Sequence, residues 1–465
     1  MKMAINLKNQ LDNEVISNQE KHFMQNLQAN ILKGHGREHV ALIFLKIEQV
    51  GAARTFLKKY PVTDAFTQLE ETVKFKEMRI PGGVIRLVFL TSSGLSKFGH
   101  LAKFNNLDTP FLGGMKADTS VLDEGKTDSW QAELQKEIDV MLLVAYHNEI
   151  DLGRIVGNLV NELEEMVDDK DKNVFEVIFV QEGRAYKNKD GEGVEHFGYV
   201  DGRSQPLMLK TAIDEESKAR RGGIDIYDPT APLGQFILPD PLDSSGFGSY
   251  FVFSKLEQNV AGFKQEEQNL ADTLGLKDDD KERAGAMVVG RFEDGTPLTL
   301  QPKEDGVPVI NNFNYDADAA GAKCPFHAHI RKTNPRGSSP GGLKFDKSVQ
   351  MARRGITYGA RLQHPDTKEF IDKPNDGVGL LFMSYQASIK DQFQFMQTKW
   401  VNNANFPKDG VGIDPVIGQG GSIDQTWFSV YNSPTNPTKS LFKGFVHLKG
   451  GEYFYTPSIS GLKAL

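Results

Sequence analysis

Short apolar runs rich in β-branched and aromatic residues recur along the chain, each bounded by Gly, Pro or polar turn residues. Runs at 40–47, 83–90, 139–146 and 174–180 predict four strands in the first half. Runs at 248–255 and 380–385 predict two more in the second half. Those at 444–448 and 452–455 predict a closing pair turned by Gly450 and Gly451. Between the runs the apolar spacing lengthens to that of a helix. At 151–167, Leu152, Ile155, Val156, Leu159 and Leu163 recur at helical spacing with carboxylates on the other face. Helices are also expected at 52–59, stopped before Pro61, and at 93–98, with Ser92 or Ser93 as the cap. Three more are expected: 259–268, 281–289 closed by Gly290, and 392–400 by the spacing of Phe393, Met396 and Trp400. Residues 1–25 read as a polar lead-in, and 265–283 as a surface excursion.

Each half therefore has three or four strands with about two helices among them, without the one-for-one alternation of a doubly wound sheet. This predicts an α+β protein of two domains, each an antiparallel sheet with helices on one face. The break is expected within 205–245, where a charged run from Asp214 to Arg221 precedes a Pro-, Gly- and Asp-rich connection. The domains are drawn as 1–225 and 226–465.

Composition narrows the function. Hydrophobic residues at 39% and charged residues at 25% fit a globular chain and not a disordered one. A net charge of −8 argues against nucleic acid and against an anionic membrane surface as partners. The one cysteine, Cys324, forms no intrachain disulfide. No apolar run has the length of a signal peptide or a membrane span. The expected setting is cytoplasmic, and the oligomeric state is left open.

Three stretches carry candidate chemistry. Cys324 to Arg336 contains His327 and His329, then Arg331, Asn334, Pro335 and Arg336. Phe197 to Pro206 brackets Asp201 with Gly198 and Gly202, followed by Arg203 and Ser204. This reads either as an Asp-Gly turn or as backbone that lets a flat ligand approach closely. In Gln350 to Gly359, Arg353 and Arg354 lie among apolar residues, so at least one is expected to turn inward toward an anion. On a strand, His327 and His329 would share a face and could share zinc, but zinc needs three or four ligands and no Cys/His cluster nearby supplies them. A haem iron needs only one axial imidazole, and Arg331 and Arg336 would suit its propionates.

Together these stretches resemble the dye-decolorizing peroxidase family. Its hallmarks are a Gly-x-x-Asp-Gly motif, a haem-ligating histidine within Ala-His-Ile-Arg-x-x-Asn-Pro-Arg, and an Arg-Arg-Gly segment. All three occur here in the family's order, as Gly198 to Gly202, Ala328 to Arg336, and Arg353-Arg354-Gly355. Asn30 to Gly36 and Gly451 to Ser458 resemble its ends, so the likeness spans most of the chain. The resemblance implies two ferredoxin-like domains with haem b (iron protoporphyrin IX) in the second. It implies hydrogen peroxide as oxidant, with dyes, phenols and other organic reductants as reducing substrates. His329 matches the proximal iron ligand, Asp201 the distal acid and Arg353 the distal arginine. Gly202, Arg203, Ser204, Asn334, Pro335 and Arg336 match residues lining the haem, whereas His327 matches no ligand. The family also places a carboxylate behind the proximal ring. Asp391 is the first choice, because it follows the strand ending at Tyr385 and precedes the 392–400 helix; a helix N-cap is its competing reading. Asp414 is the second choice.

In the implied scheme Asp201 takes a proton from one peroxide oxygen and returns it to the other. An unperturbed aspartate titrates near pH ~3.9, so this base stays ionised into acid conditions. Arg353 beside it would favour the charged form and stabilise charge on the departing oxygen. Large dyes cannot reach a buried iron, so Tyr358 and Trp400 are candidate surface radical sites, with core packing as the competing reading of both. Two other functions fit parts of the sequence. One is a haem carrier or sensor without turnover, which would need neither Asp201 nor Arg353. The other is a structural or metal-binding protein using His327 and His329 as a zinc half-site.

Overall fold

The apolar runs become strands of a single antiparallel ladder. A computed structural model describes residues 5–105, 107–123, 125–218, 222–306, 310–421 and 423–465. The end of the charged run, 219–221, and the first four residues of the lead-in lie outside the described residues. In the first half, β1 (His39–Ile47), β2 (Ile85–Leu90), β3 (Val140–Tyr146) and β4 (Phe175–Arg184) lie in the order β2-β3-β1-β4. In the second, β5 (Phe247–Gln258), β6 (Ile356–Tyr358), β7 (Gly379–Gln386) and β8 (Val446–Thr456) lie in the order β6-β7-β5-β8. A helix follows the first and third of these strands in each half. These are α1 (Val50–Lys59) and α2 (Glu149–Glu165), then α3 (Val260–Thr273) and a π-helical pair, Ile389–Gln394 and Met396–Val401. That is the ferredoxin-like order, once per half.

The two ladders meet at Tyr455↔Leu90, where β8 pairs with β2. The joined sheet curls until its edges touch: Thr357 Oγ1 on β6 donates to the Arg184 carbonyl on β4. Gly183 backs onto Ile356 there, and a Cβ would come within 2.7 Å of its methyl. β1 is buried almost end to end because helices cover one face and the opposing strands the other. Phe44 stacks on Phe179 and meets Phe253 at 5.1 Å, and Phe89 meets Phe251 at 4.4 Å, so one aromatic core serves both halves.

Several elements differ from expectation. The expected closing hairpin is one continuous strand, β8, whose register shifts between Leu448 and Gly450. The Gly pair serves a bulge and not a turn: a Cβ on Gly450 would sit 2.5 Å from Leu134, and one on Gly451 2.3 Å from the Met115 sulfur. The polar lead-in contains a helix, Asn18–Asn26, opened by a Ser17–Glu20 capping box and burying Phe23 and Met24. A further helix, Ala65–Met78, capped by Asp64, carries too weak an apolar stripe to be read. The helix expected from Ser93 spans Ser92–Lys97, and Thr91 caps it by accepting the Gly94 N–H. Most of the polar run 265–283 is helical, in α3 and at the start of α4 (Glu282–Val289). Gly290 closes α4 with φ 99°, in the left-handed region. Among the described residues no helix is long and apolar enough to cross a membrane.

Candidate active site

A short helix, α5 (His329–Thr333), presents the first histidine of interest at its opening turn. Five residues cannot hold a helix unaided, so its side chains anchor it. Arg331 donates to Asp318 Oδ2 at 2.8 Å and to the Cys324 carbonyl, with both members of the ion pair buried. Lys332 Nζ donates to the Trp400 and Asn403 carbonyls. Asn334 joins Tyr227 and Gln350. His329 Nδ1–H then donates to Asp414 Oδ2 at 2.9 Å. The other oxygen of Asp414 accepts the Val416 and Ile417 N–H groups, so the carboxylate is fixed and wholly buried. Burial acts to lower the His329 pKa, but the charge and hydrogen bond of Asp414 together carry it above its ordinary value. With Nδ1 engaged, Nε2 has no partner among the described residues, and the ring borders a cavity lined largely by apolar side chains.

The loop from Phe197 to Pro206 also borders this cavity. Gly198 and Gly202 have φ of 100° and 83°, which a side chain rarely tolerates. Glu195 clasps the loop from behind, accepting the Phe197 and Tyr199 N–H groups and the Gln258 amide. Asp201 lines the cavity, held through its own N–H to the Gly193 carbonyl. Arg353 enters from a two-residue strand, Ala352–Arg353, paired to β7. Its guanidinium donates to the Arg203 carbonyl at 2.7 Å, and its backbone N–H donates to Gln205. Arg353 and Asp201 both lie close enough to act electrostatically on the His329 ring. Arg354 turns the other way and donates to the carbonyls of Asn30, Ile31 and Arg353, bracing the Arg353 peptide against the N-terminal stretch.

A third wall is cationic. Arg336 is held between Tyr227 and Phe313, 4.0 and 3.9 Å from their rings, and donates to Ser204 Oγ. Ser204 and Arg336 both take left-handed backbone angles, φ 63° and 51°. Arg291 lines the same wall, its pKa brought down to about 9 by burial and by the nearby Arg336 charge. Among the described residues no carboxylate pairs with Arg291 or Arg336, while Arg203 pairs with Glu216. An imidazole with a free ring nitrogen, facing an apolar cavity with guanidinium groups on one wall, is the donor set a carboxylate-bearing haem needs.

Of the residues singled out in the sequence, His329, Asp201, Gly202, Arg203, Ser204, Asn334, Arg336 and Arg353 meet around this one cavity. Others do not. Asp391, the first choice behind His329, is exposed on the π-helical turn whose cap is Ser388, and Asp414 occupies the position instead. Arg331, expected at the haem propionates, is spent on Asp318 away from the cavity. Pro335 is buried but does not line it. Tyr358 and Trp400, the candidate surface radical sites, are 5% and 2% exposed, in line with the competing reading of both as core packing. Trp400 stacks on Phe406, and Tyr358 lies beneath Lys255. His327 is buried against Trp427 in a turn, and the described residues contain no cluster that could share a metal with it. Three polar wall residues escaped the sequence reading: Arg291, Glu195 and Gln258, whose buried Oε1 has no partner among the described residues. Arg291 directly follows a helix-closing glycine, a position with no signature of its own.

No family model matches the sequence. The chain is 40% identical over its whole length to all of the multifunctional dye peroxidase DyP2 of Amycolatopsis sp.. It is 29% identical to Peroxidase 2 of Mycetinis scorodonius, covering 95% of this chain and 87% of that one. Among solved structures, DyP2 of Amycolatopsis superposes with a TM-score of 0.91 over 99% of this chain and 100% of that one, at 39% identity. The DyP-type peroxidase of Anabaena sp. superposes with a TM-score of 0.90 over 98% of each chain, at 35% identity.

Proposed function

The chain belongs to the dye-decolorizing peroxidase family, and from that premise we propose that the cavity described above is its peroxide-reducing centre. The protein is a haem b peroxidase acting on dyes. Bound haem supplies the iron that takes oxidising equivalents from hydrogen peroxide and passes them to organic reductants. His329 is the residue that would hold it, through Nε2. The observation that carries this reading is the fixed pair behind the ring: Asp414 takes the Nδ1–H, which leaves Nε2 as the electron-pair donor and strengthens it.

On the proposed distal side, Asp201 takes a proton from one oxygen of peroxide and returns it to the other, which departs as water. Arg353, steadied by the Arg203 carbonyl and Gln205, stabilises the charge on the departing oxygen. Arg291 and Arg336 offer cations to the haem carboxylates. Organic reductants such as phenols and dyes complete the proposed cycle. The boundary near 225/226 belongs to the same proposal, supported by the complete strand order on each side of it. So does a cytoplasmic setting, supported by a sequence whose one cysteine leaves no intrachain disulfide.

The test is the rate of reaction of the haem-loaded protein with hydrogen peroxide. Asp201→Asn is expected to keep haem and slow this reaction by about a hundred- to ten-thousand-fold, the usual worth of a positioned acid–base group. A native rate in that variant would remove Asp201 as the essential base.

A further inference from the structure

The two basic residues after His329 have different partners. Arg331 fastens α5 to the loop at Asp318 and Cys324. Lys332, one turn beyond His329 and wholly buried, donates to the Trp400 carbonyl at 2.9 Å and the Asn403 carbonyl at 2.7 Å. These carbonyls close the C-terminal end of Met396–Val401 and the turn after it. Asp414 hangs from the same end, because its backbone N–H donates to the Val401 carbonyl at 2.9 Å. Two residues ahead of it, Gly412 is tied to the Ala404 carbonyl. The hydrogen bonds thus form a closed circuit. It runs from His329 through α5 to Lys332, across to the 400–403 turn, back to Asp414, and through its carboxylate to His329 Nδ1.

Resting on the reading of His329 as the haem ligand, we propose that Lys332 is the positioning residue that sets Asp414 against His329. α5 is too short to keep its own register. Among the described residues, apart from the His329–Asp414 bond itself, Lys332 makes the side-chain hydrogen bonds that join α5 to the 400–403 turn, from whose helix end Asp414 hangs. Burial brings the Lys332 pKa down to about 7, with the charge of Asp414 acting the other way. Protonated or neutral, the amine keeps two N–H groups for its two carbonyls. Without it, the Trp400 and Asn403 carbonyls lose their side-chain donor, and the 400–403 turn, with Asp414 hanging from it, is no longer held in register with α5. The His329 Nδ1–H bond would then lengthen and the ring would become a weaker donor.

The experiment reads that bond directly, as the iron–histidine stretching band in the resonance Raman spectrum of the ferrous haem-loaded protein. Lys332→Met is expected to retain haem and move the band to lower frequency, in the same direction as Asp414→Asn. The double variant should shift no further than Asp414→Asn alone, because Lys332 acts through Asp414. An unmoved band in Lys332→Met, or additive shifts in the double variant, would overturn the proposal. If Lys332→Met does not fold, Lys332→Gln, which still offers an amide to one carbonyl, must show part of the shift; an unshifted band there also overturns it. A wild-type protein with no iron–histidine band would instead refute His329 as ligand, a separate outcome.

Discussion

Glu195 shows what burial does to a single group in this site. It shares the cavity wall with Asp201, and burial pushes its pKa up to about 7, although three N–H donors favour the charged form. Between its ordinary value of 4.5 and about 7, the folded protein keeps a proton that the unfolded chain releases. Stability therefore falls as pH rises through that window, and the loss is complete above it. At about 1.4 kcal/mol per unit, the effect is about 3 kcal/mol. Glu195→Gln should flatten this part of the stability–pH curve, as read by urea denaturation at pH 5 and pH 8. An equal slope in both proteins would show that Glu195 does not titrate there. Legibility at this scale was uneven. His329, Asp201 and Arg353 stand in local motifs. Asp414 lies 85 residues from its partner, with no local mark of the pairing. Asp391 had a plausible place in the chain order, but Ser388 caps that turn and leaves the carboxylate in solvent.

At the scale of elements, strands were legible because their apolar runs are buried on both faces, as in β1 and β3. The Gly450-Gly451 pair was misread because a bulge and a turn use the same residue for different reasons. In a turn glycine supplies backbone freedom; here it also makes room for Leu134 and Met115. Gly451→Ala would place a Cβ 2.3 Å from the Met115 sulfur and 2.5 Å from the Phe253 carbonyl. It should cost about 1–3 kcal/mol, as overpacking does. A Cβ on Gly153, exposed within α2, would meet nothing within 4 Å among the described residues, and Gly153→Ala should stabilise by about 0.5–1 kcal/mol. Chemical denaturation of the two variants side by side decides this: Gly451→Ala no less stable than Gly153→Ala would contradict the bulge packing. The helix at Asn18–Asn26 was missed for another reason. Its Ser17–Glu20 box is a recognisable start, but Phe23 and Met24 are too few to show a period.

At the scale of the molecule, the division into two α+β halves was legible from the count and spacing of strands. Their union was not. Within the sheet it passes through one strand pair, Tyr455↔Leu90, and the contact of β6 with β4, neither of which leaves a pattern in either segment. That union matters for function. The Asp201 loop, the α5 helix and the Arg353 strand are far apart in the chain, and the curled sheet with its shared aromatic core brings them around one cavity. The central claim is that this cavity holds haem through His329. The direct measurement is the absorption spectrum of the purified protein titrated with haem, beside that of His329→Ala. The account predicts a saturable Soret band at one haem per chain for the native protein, and a lost or displaced band for His329→Ala. The same band, at the same position and affinity, in both proteins would contradict it.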